Sequence, residues 1–563
     1  MTDSLPRGIA ALVCALAVGA PRIALAQPAE PDKIEKIEDD SPPPKQDAKP
    51  SEGDDIVETI DDSETGPRRE KPQEKREKKE KDEPKLDKFE FRGFTRLTVG
   101  AGLFSQRTAP FFAPTSERVG YDRGAVNGHG YVDFRYSRGK TFQAVLSGSL
   151  AYSAYLAEGR PGFDPPRGQA EFGRIEPVLR EAYIGIYAGR FDLRLGQQRI
   201  VWGNSDGIAP NDILNARDLR NRLQLDSEMV HLPTLSARAD LDLGLVVIGL
   251  VAQPFFVPDQ FSLYGGNWSL VQPDSPRTYR KLFGVYAAGR DRTTIEDLQT
   301  LLVNSKTPKS ALEGGSAGAS MRFHFGKVDA SFYYYYGFDR TPYVYLDPQL
   351  SSQLDLLDPN AVNGVVLDAF LQQLQRGSSL YGGPLVLKYY RRHHVGMDLQ
   401  TSVGPFVLRM DAAFDSAMTF FARDTMNSVA RPSAQGVLGI EYQTGDLNKV
   451  IVLEGFYQRL LGPEVPLVPV LDQANNGPLL FVEENNVGFS NLIRWVFFDH
   501  LIFEARSLIS AKPVWYSVRP EIGYVNPSFT ARLGFNIMDG EADTFGRYYR
   551  RNNTAYVTAR YAF

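Results

Sequence analysis

From Lys88 to the C-terminus, segments of alternating polar and apolar residues are joined by connections that are short and long by turns. This asymmetry restricts the fold more than any motif does. In the first segment Phe89, Phe91, Leu97, Val99 and Leu103 oppose Glu90, Arg92, Arg96 and Thr98; in the next, Val132, Phe134 and Tyr136 oppose Asp133 and Arg135. A tight turn at Arg138-Gly139-Lys140 leads into Phe142, Ala144, Leu146, Leu150 and Tyr152. Further short turns sit at Gly189-Arg190, Asp242–Gly244, Gly326-Lys327, Gly404-Pro405, Thr444–Asn448, Asp499-His500 and Asn526-Pro527. Almost every connection between those hairpins is longer, Ser510–Lys512 being the exception. Period-two alternation marks strands with one apolar face. Soluble sandwiches also use hairpins, but they do not sustain so regular a difference between their two ends. A closed barrel crossing a membrane does, with short turns in the periplasm and long loops outside. The spacing predicts an all-β, transmembrane antiparallel β-barrel of about 18 strands of about ten residues each, an even number as the class requires. Such a barrel is wide enough for an aqueous lumen rather than a packed core. The 27 tyrosines, 34 phenylalanines and 50 glycines suit a barrel with aromatic girdles, and no run of apolar residues is long enough for a membrane-spanning helix.

The last eleven residues, Asn553 to Phe563, fit the same picture. Ala555, Val557, Ala559, Tyr561 and Phe563 share one strand face, and Thr554, Tyr556, Thr558 and Arg560 the other. An apolar row ending in a C-terminal Phe resembles the closing strand of Gram-negative outer-membrane barrels. That resemblance implies that Tyr561 and Phe563 form the signal read by the barrel-assembly machinery.

The N-terminus has a different texture. Arg7 precedes an apolar run from Ile9 to Ala20, and Ala24-Leu25-Ala26 offers small residues for cleavage before Gln27. Residues 1–26 therefore read as a secretory signal peptide, too short in its apolar run to span a bilayer. Cys14, the only cysteine, falls inside it, so the mature chain carries no disulfide and no thiolate chemistry. Residues 27–86 are rich in Pro, Glu, Asp and Lys, with Lys75-Arg76-Glu77-Lys78-Lys79-Glu80 at their charged centre. Too little apolar surface is present to offset the entropy of ordering, and the expectation is a disordered periplasmic segment. It serves as a spacer or holds a periplasmic partner. The barrel then occupies residues 87–563, embedded in outer-membrane lipid and lipopolysaccharide.

One stretch, Leu193 to Arg220, carries a motif: Leu195-Gly196-Gln197-Gln198, Trp202-Gly203, Asp206-Gly207, Asn211-Asp212, Asn215 and Asp218-Leu219-Arg220. It resembles the strand-and-loop signature of the family catalogued as domain of unknown function 1302, porin-like barrels of Gram-negative bacteria, with Gln197 where an Arg is common. Read physically, Trp202 ends a strand at the height where an indole favours the membrane interface. Asp206, Asn211, Asp212, Asn215 and Asp218 cap turns by bonding their own backbone and pin the loop in the barrel mouth. The competing reading is a divalent-cation site, but the spacing matches no calcium loop, and no metal is expected.

The alternation places Arg92, Arg96, Asp133, Arg135, Arg194, Arg238, Arg322, Arg409, Asp411 and Glu454 on the lumen side. Mixed signs on neighbouring strands predict wall-stabilising ion pairs, which say little about selectivity. Two loops are long enough to enter the lumen. Pro254–Gly315 contains a capping box at Thr293–Glu296 before Leu298, Leu301 and Leu302. Phe338–Gly383 contains Val366, Leu367, Phe370, Leu371 and Leu374 at helical spacing, closed by Gly377.

Enzyme signatures are missing: none of the six histidines stands in a zinc-protease spacing, no G-x-S-x-G turn occurs, and His393-His394 reads as a polar strand end. No cofactor is implied, and a net charge of −5 gives no reason to expect nucleic acid. The resulting expectation is a non-enzymatic outer-membrane porin-like channel for small or moderately apolar solutes. The alternatives are a barrel that does not transport but anchors a periplasm-spanning assembly through residues 27–86, and an outer-membrane hydrolase.

Overall fold

The structure, a computed structural model, describes residues 87–103, 125–155, 175–219, 227–260, 268, 303–308, 310–346, 385–423, 427–445, 448–462 and 478–563. The signal peptide, the charged segment 27–86, Arg220 and the two loop helices expected around 293–302 and 358–377 lie outside the described residues.

Eighteen antiparallel strands form one sheet. Five precede the motif loop: β1 (Asp87–Gly102), β2 (Ala125–Arg138), β3 (Phe142–Tyr155), β4 (Ile175–Ala188) and β5 (Phe191–Gln198). Four follow it: β6 (Thr234–Asp242), β7 (Val246–Gln253), β8 (Ser316–Phe325) and β9 (Val328–Phe338). The next four are β10 (Arg391–Val403), β11 (Phe406–Phe421), β12 (Ser428–Gln443) and β13 (Lys449–Leu460). The last five are β14 (Asn485–Phe497), β15 (Leu501–Lys512), β16 (Val514–Val525), β17 (Phe529–Gly540) and β18 (Thr554–Ala562). Each pairs with its successor, and β18 returns to β1 in a register running from Phe94↔Ala562 to Gly102↔Thr554. The sheet therefore closes without an edge, the condition for a sheet to cross a bilayer.

All eight expected turns connect strands at one rim; at the other, the short connection expected at Ser510–Lys512 is a hairpin turning at Lys512-Pro513, with Ser510 and Ala511 still paired to Trp515 and Val514. Five of the eight carry a glycine at positive φ, Gly139, Gly189, Gly244, Gly326 and Gly404, a backbone state that costs glycine little. The barrel's exterior is apolar: Leu146, Leu250, Phe332, Leu438, Leu453 and Val557 stand exposed on outward rows. Aromatic contacts gather near the short-turn rim, with Phe406 against Tyr442, Trp495 stacked on Phe497 and Phe91 against Phe563. Such a band is what lipid and its interface select.

The closing strand lies as its alternation predicts, with Tyr561 and Phe563 on the outer face. Phe563 exchanges two backbone hydrogen bonds with Gly93, at 2.8 and 2.9 Å. Its ring covers Gly93 so closely that a Cβ there would fall 2.8 Å from Cζ. The terminal Phe thus locks the seam of the cylinder.

Two smaller structures are built from the long connections. A three-stranded sheet joins 303–306 in parallel to 385–388, which pairs antiparallel with 343–346. Val344 N–H, from this sheet, donates to Ser428 Oγ on β12 at 2.6 Å. At the long-loop rim a short helix, Phe545–Tyr548, and a 3-10 turn, Arg550–Asn552, bring Tyr548 and Tyr549 against Trp268, Leu480 and Met538.

Candidate functional site

The motif loop turns into the barrel. Gln198 ends β5 with its amide donating to Ser236 O (3.1 Å) and Arg194 O (3.3 Å), and the chain leaves the wall at this point. Asn215 closes the loop at its base: Ile200 N–H donates to Asn215 Oδ1 (3.1 Å), and Asn215 Nδ2 donates back to Ile200 O (2.7 Å). Between these two points the chain lies against inward-facing residues of β7 to β14.

Trp202 is the first fastener. It is almost wholly buried and stacks on Tyr333 of β9 at 4.9 Å and 20°, within a cluster that includes Ile200, Leu214, Val251 and Tyr335. Gly318, on an inward position of β8, leaves room for the indole, since a Cβ there would sit 2.6 Å from its edge. The interface position expected for Trp202 is thus corrected. The chain has left the wall before residue 202, and the ring finds an apolar socket inside the lumen instead of the lipid boundary.

The second fastener is electrostatic. Asn204 N–H donates to both Asp411 oxygens and Ser205 N–H to Asp411 Oδ2, all at 3.2 Å. Asp206 N–H donates to Glu454 Oε1 (2.8 Å) and Gly207 N–H to Glu454 Oε2 (2.7 Å), while Ser490 Oγ also bonds Glu454 (2.9 Å). Successive backbone amides of an irregular loop need acceptors when buried. Two wall carboxylates supply them. Two of the three motif glycines, Gly203 and Gly207, are explained by the closeness of this approach. A Cβ at Gly207 would lie 2.0 Å from Ser490 Oγ, and one at Gly203, with φ +90°, would lie 2.7 Å from Asp411 Oδ2.

The remaining motif residues reach the wall or the far side of the loop. The Asp206 carboxylate pairs with Arg409 (2.5 Å), which also pairs with Glu441. Asn211 Nδ2 donates to Met397 O on β10 (3.0 Å) in a notch left by Gly396. Asp212 takes His231 Nε2 at 2.6 Å and Arg217 Nη2 at 3.2 Å. Burial works to raise the Asp212 carboxyl, but the hydrogen bond and charge of His231, with Arg217 and Arg199 nearby, outweigh it and hold the group down at about 2. Asp218 contributes its backbone, N–H to Val230 O at 2.7 Å. The expectation that these polar residues cap their own turns is corrected in mechanism, though they do pin the loop inside the barrel. Asp206 and Asn211 bond the wall, while Asp212 and Asn215 staple the loop to itself, through His231, Arg217 and Ile200 at separations of 19, 5 and 15 residues.

The expected lumen charges face inward as the alternation requires, and they divide into two kinds. Asp133 sits between Arg92 (2.8 Å) and Arg135 (2.9 Å), and Asp240 between Arg238 and Arg322 (both 2.7 Å), which are wall ion pairs as anticipated. Arg194 lies 6.0 Å from the ring centres of both Tyr183 and Tyr187, and Arg96 stands across the seam from Arg560. Asp411 and Glu454 depart from the expectation: they are loop anchors. His393 and His394 also separate, His393 outward against Tyr336 and His394 buried on Asp415 (2.9 Å).

Sequence reading missed Tyr333, whose hydroxyl bonds Asp398 and takes Gly203 N–H at 3.4 Å. It also missed Arg340, a buried guanidinium that donates to Val257 O (2.6 Å), Leu214 O (2.6 Å) and Gln253 Oε1 (3.0 Å), joining the loop base to β7. Inward glycines at 318 and 396 were the available signal, since a glycine within a strand marks a close approach.

An edgeless eighteen-strand barrel with an apolar exterior and a loop bolted across part of its lumen is an outer-membrane barrel of the porin type. Residues 123–437, more than half of the chain, match the family described as protein of unknown function (DUF1302), and the chain belongs to that family. No curated protein matches it. Among solved structures it is similar to OccAB4 of Acinetobacter baumannii, at 8% identity and a TM-score of 0.43, over 85% of this chain and 98% of that one. It is also similar to OccK5 (OpdH) of Pseudomonas aeruginosa, at 10% identity and 0.41, over 84% and 98%. The outer membrane channel DcaP of Acinetobacter baumannii is 11% identical with a TM-score of 0.36, over 85% and 97%.

Proposed function

We propose that the protein is a diffusion channel for small or moderately apolar solutes, with its bore set by the loop from Arg199 to Leu219. The observation that carries this reading is the double fastening of that loop inside the lumen, Trp202 in its socket and four consecutive amides on Asp411 and Glu454. A barrel of this strand number is too wide for side chains to fill, and a rigid inward loop is an economical way to narrow it. The aromatic group at the long-loop rim, where Phe421, Phe481 and Phe545 pack on the Trp268 cluster, supports contact with partly apolar solutes at the mouth. The short turns face the periplasm and the long loops face outward, as in barrels of this class.

Purified protein in planar bilayers should give stepwise conductance, and its absence from correctly folded, heat-modifiable barrel would overturn the reading. Orientation is checked separately. Tags at Gly139, Gly189 or Gly404 should be inaccessible on intact cells, and a tag within Pro254–Gly315 should be labelled.

A further inference from the structure

We infer that a groove on the outer surface of β5 to β9, at the long-loop rim, holds the acyl chains of a phosphorylated lipid, with Arg391 on its phosphate. The inference uses the barrel orientation proposed above but not its conductance. Strand register builds the groove. One row across the sheet runs Leu195, Ala237, Ala252, Ala317 and Tyr336. Three alanines side by side make a floor, and Leu195 and Tyr336 stand exposed at its edges. Four residues further from this rim the corresponding row is Phe191, Leu241, Ile248, Met321 and Phe332, large throughout. The lipid-facing surface therefore steps inward as it nears the long loops. At about 4.8 Å per strand the two edges are about 19 Å apart. The hollow measures about 750 Å³, with Leu235, Pro254 and Gly315 at its mouth.

Arg391 lines the same hollow. It opens β10 on the outward row that continues through His393 to the exposed Val395. Its guanidinium lies 4.4 Å from the ring centre of Phe338 and 5.2 Å from that of Tyr336, and Nη2 donates to Glu313 O at 2.8 Å. Two rings and a carbonyl fix the group in place without neutralising it. Among the described residues no carboxylate pairs with it, and Glu313 contributes its carbonyl. Its outward neighbour His393 is engaged by the Tyr334 hydroxyl at 2.9 Å. A cation on the outer face of a barrel is costly at the bilayer midplane and costs little near the interface, where lipid head groups lie. A planar guanidinium held in one orientation suits two-point binding of phosphate.

Shape and charge together choose the occupant. An uncharged lipid would cover the alanine floor and leave Arg391 unmatched. A second barrel docked across a twofold axis would use the same patch on both sides, setting hollow against hollow and Arg391 toward its own copy. A phosphorylated lipid meets both features at once: its chains supply the side-chain volume that the alanines lack, and its phosphate meets the guanidinium. Lipid A, the phosphorylated and multiply acylated anchor of lipopolysaccharide, has both parts and lies in the leaflet that the long-loop rim would face.

The test is native mass spectrometry of the full chain in detergent, titrated with lipid A and, separately, with diacylglycerol as a phosphate-free control. Wild type should retain one lipid A per barrel and hold diacylglycerol at least tenfold more weakly. Arg391→Gln should weaken lipid A roughly tenfold, the effect of losing a charge-assisted contact, and should leave diacylglycerol unchanged. Ala252→Leu with Ala317→Leu fills the floor with residues at home on a lipid-facing surface and should weaken lipid A by a similar factor. Leu438→Ala, an outward position on β12, is the control and should change nothing. Heat-modifiable migration on gels confirms that each variant is folded. Equal retention of the two lipids by wild type, or unchanged lipid A affinity in either folded groove variant, overturns the inference. So does a wild-type dimer or trimer that binds no lipid A and is dissociated by the double Leu variant, since the groove would then be an interface between copies. Conductance does not enter these readouts, so their failure leaves the channel reading standing.

Discussion

The wall from β10 to β13 and the wall from β14 through β18 to β1 use charge in opposite ways. In the first, carboxylates are buried and each has a fixed partner: Asp411 and Glu454 hold loop amides, Asp415 holds His394 and Arg392, and Glu441 holds Arg409. In the second, partners are shared: Glu504 holds Arg506 and Arg532, and Glu521 holds Arg519, Arg532 and the Tyr556 hydroxyl. The difference separates two roles that look identical in sequence. A buried charge with every acceptor site occupied works as a fastener and contributes nothing to the surface a solute meets. A charge left at the lumen surface in excess of its counter-charges sets a field. Polarity of the inward row alone therefore does not describe a pore; which charges are covered does.

Uncovering the fasteners is the strongest way to break this contrast. At Gly207→Val the new Cβ would lie 2.0 Å from Ser490 Oγ and 2.5 Å from Ser490 Cβ, so the loop cannot sit down. Releasing it should widen the bore, raising single-channel conductance by roughly twofold or more, and should expose Asp411 and Glu454. Unchanged conductance in a folded Gly207→Val barrel would show that this loop does not set the bore.

Trp202→Ala attacks the other fastener and leaves the carboxylates in place. Emptying a buried indole socket costs about 3–5 kcal/mol in a packed core. Here the loss falls on the loop, because the barrel sheet is hydrogen-bonded without it. Faster proteolysis between Arg199 and Leu219 and noisier open-channel current are expected, with selectivity unchanged. A variant as protected as wild type would mean that the amide fastening alone holds the loop.

The fold was legible because its causes are local. Alternation reports which face meets lipid, and turn length reports which rim meets the periplasm; both are properties of neighbouring residues, so the strand count and all eight short turns could be read from the chain. The loop was legible only in outline. Its composition announced a pinned segment, but Asp206 N–H meets Glu454 at a separation of 248 residues, and Asn204 N–H meets Asp411 at 207. No local pattern shows such a meeting. Trp202 was misplaced for the same reason, since its socket is made by Gly318 and Tyr333 on strands formed much later in the chain. The register across the seam was hidden differently. Arg96 and Arg560 were each legible on the polar face of their own strand, but their opposition exists only when the last strand closes on the first.

A milder substitution sharpens the comparison between fastening and field. Glu454→Gln keeps one carbonyl acceptor for Asp206 N–H and turns an amide toward Gly207 N–H, leaving that donor unsatisfied. A buried unsatisfied donor costs about 1–3 kcal/mol, so the thermal transition read by heat-modifiability should fall slightly and gating noise should rise. A Glu454→Gln barrel with wild-type heat-modifiability and current noise would show that this carboxylate does not hold the loop.

The smallest effect concerns acid. Asp212 is held by His231 and Arg217 at the base of the loop, and their hydrogen bond and charge depress its carboxyl to about 2, below the ordinary carboxylate range. A carboxyl with a folded-state pKa below its unfolded value contributes stability that is present above the unfolded value and lost as pH falls through the folded one. This staple should therefore be intact from neutral pH down to about 4 and weaken between about 4 and 2. Hydrogen exchange at the amides of Asp212, Ile213 and Asp218 should be equally slow at pH 7 and pH 4.5, and faster at pH 2.5. Asp212→Asn should show the fast exchange at every pH, because the amide lacks the charge that His231 and Arg217 face. Loosening of these amides in wild type already between pH 7 and pH 4.5 would assign the loop base to a group that titrates higher, and Asp212 would then be a bystander to its closure.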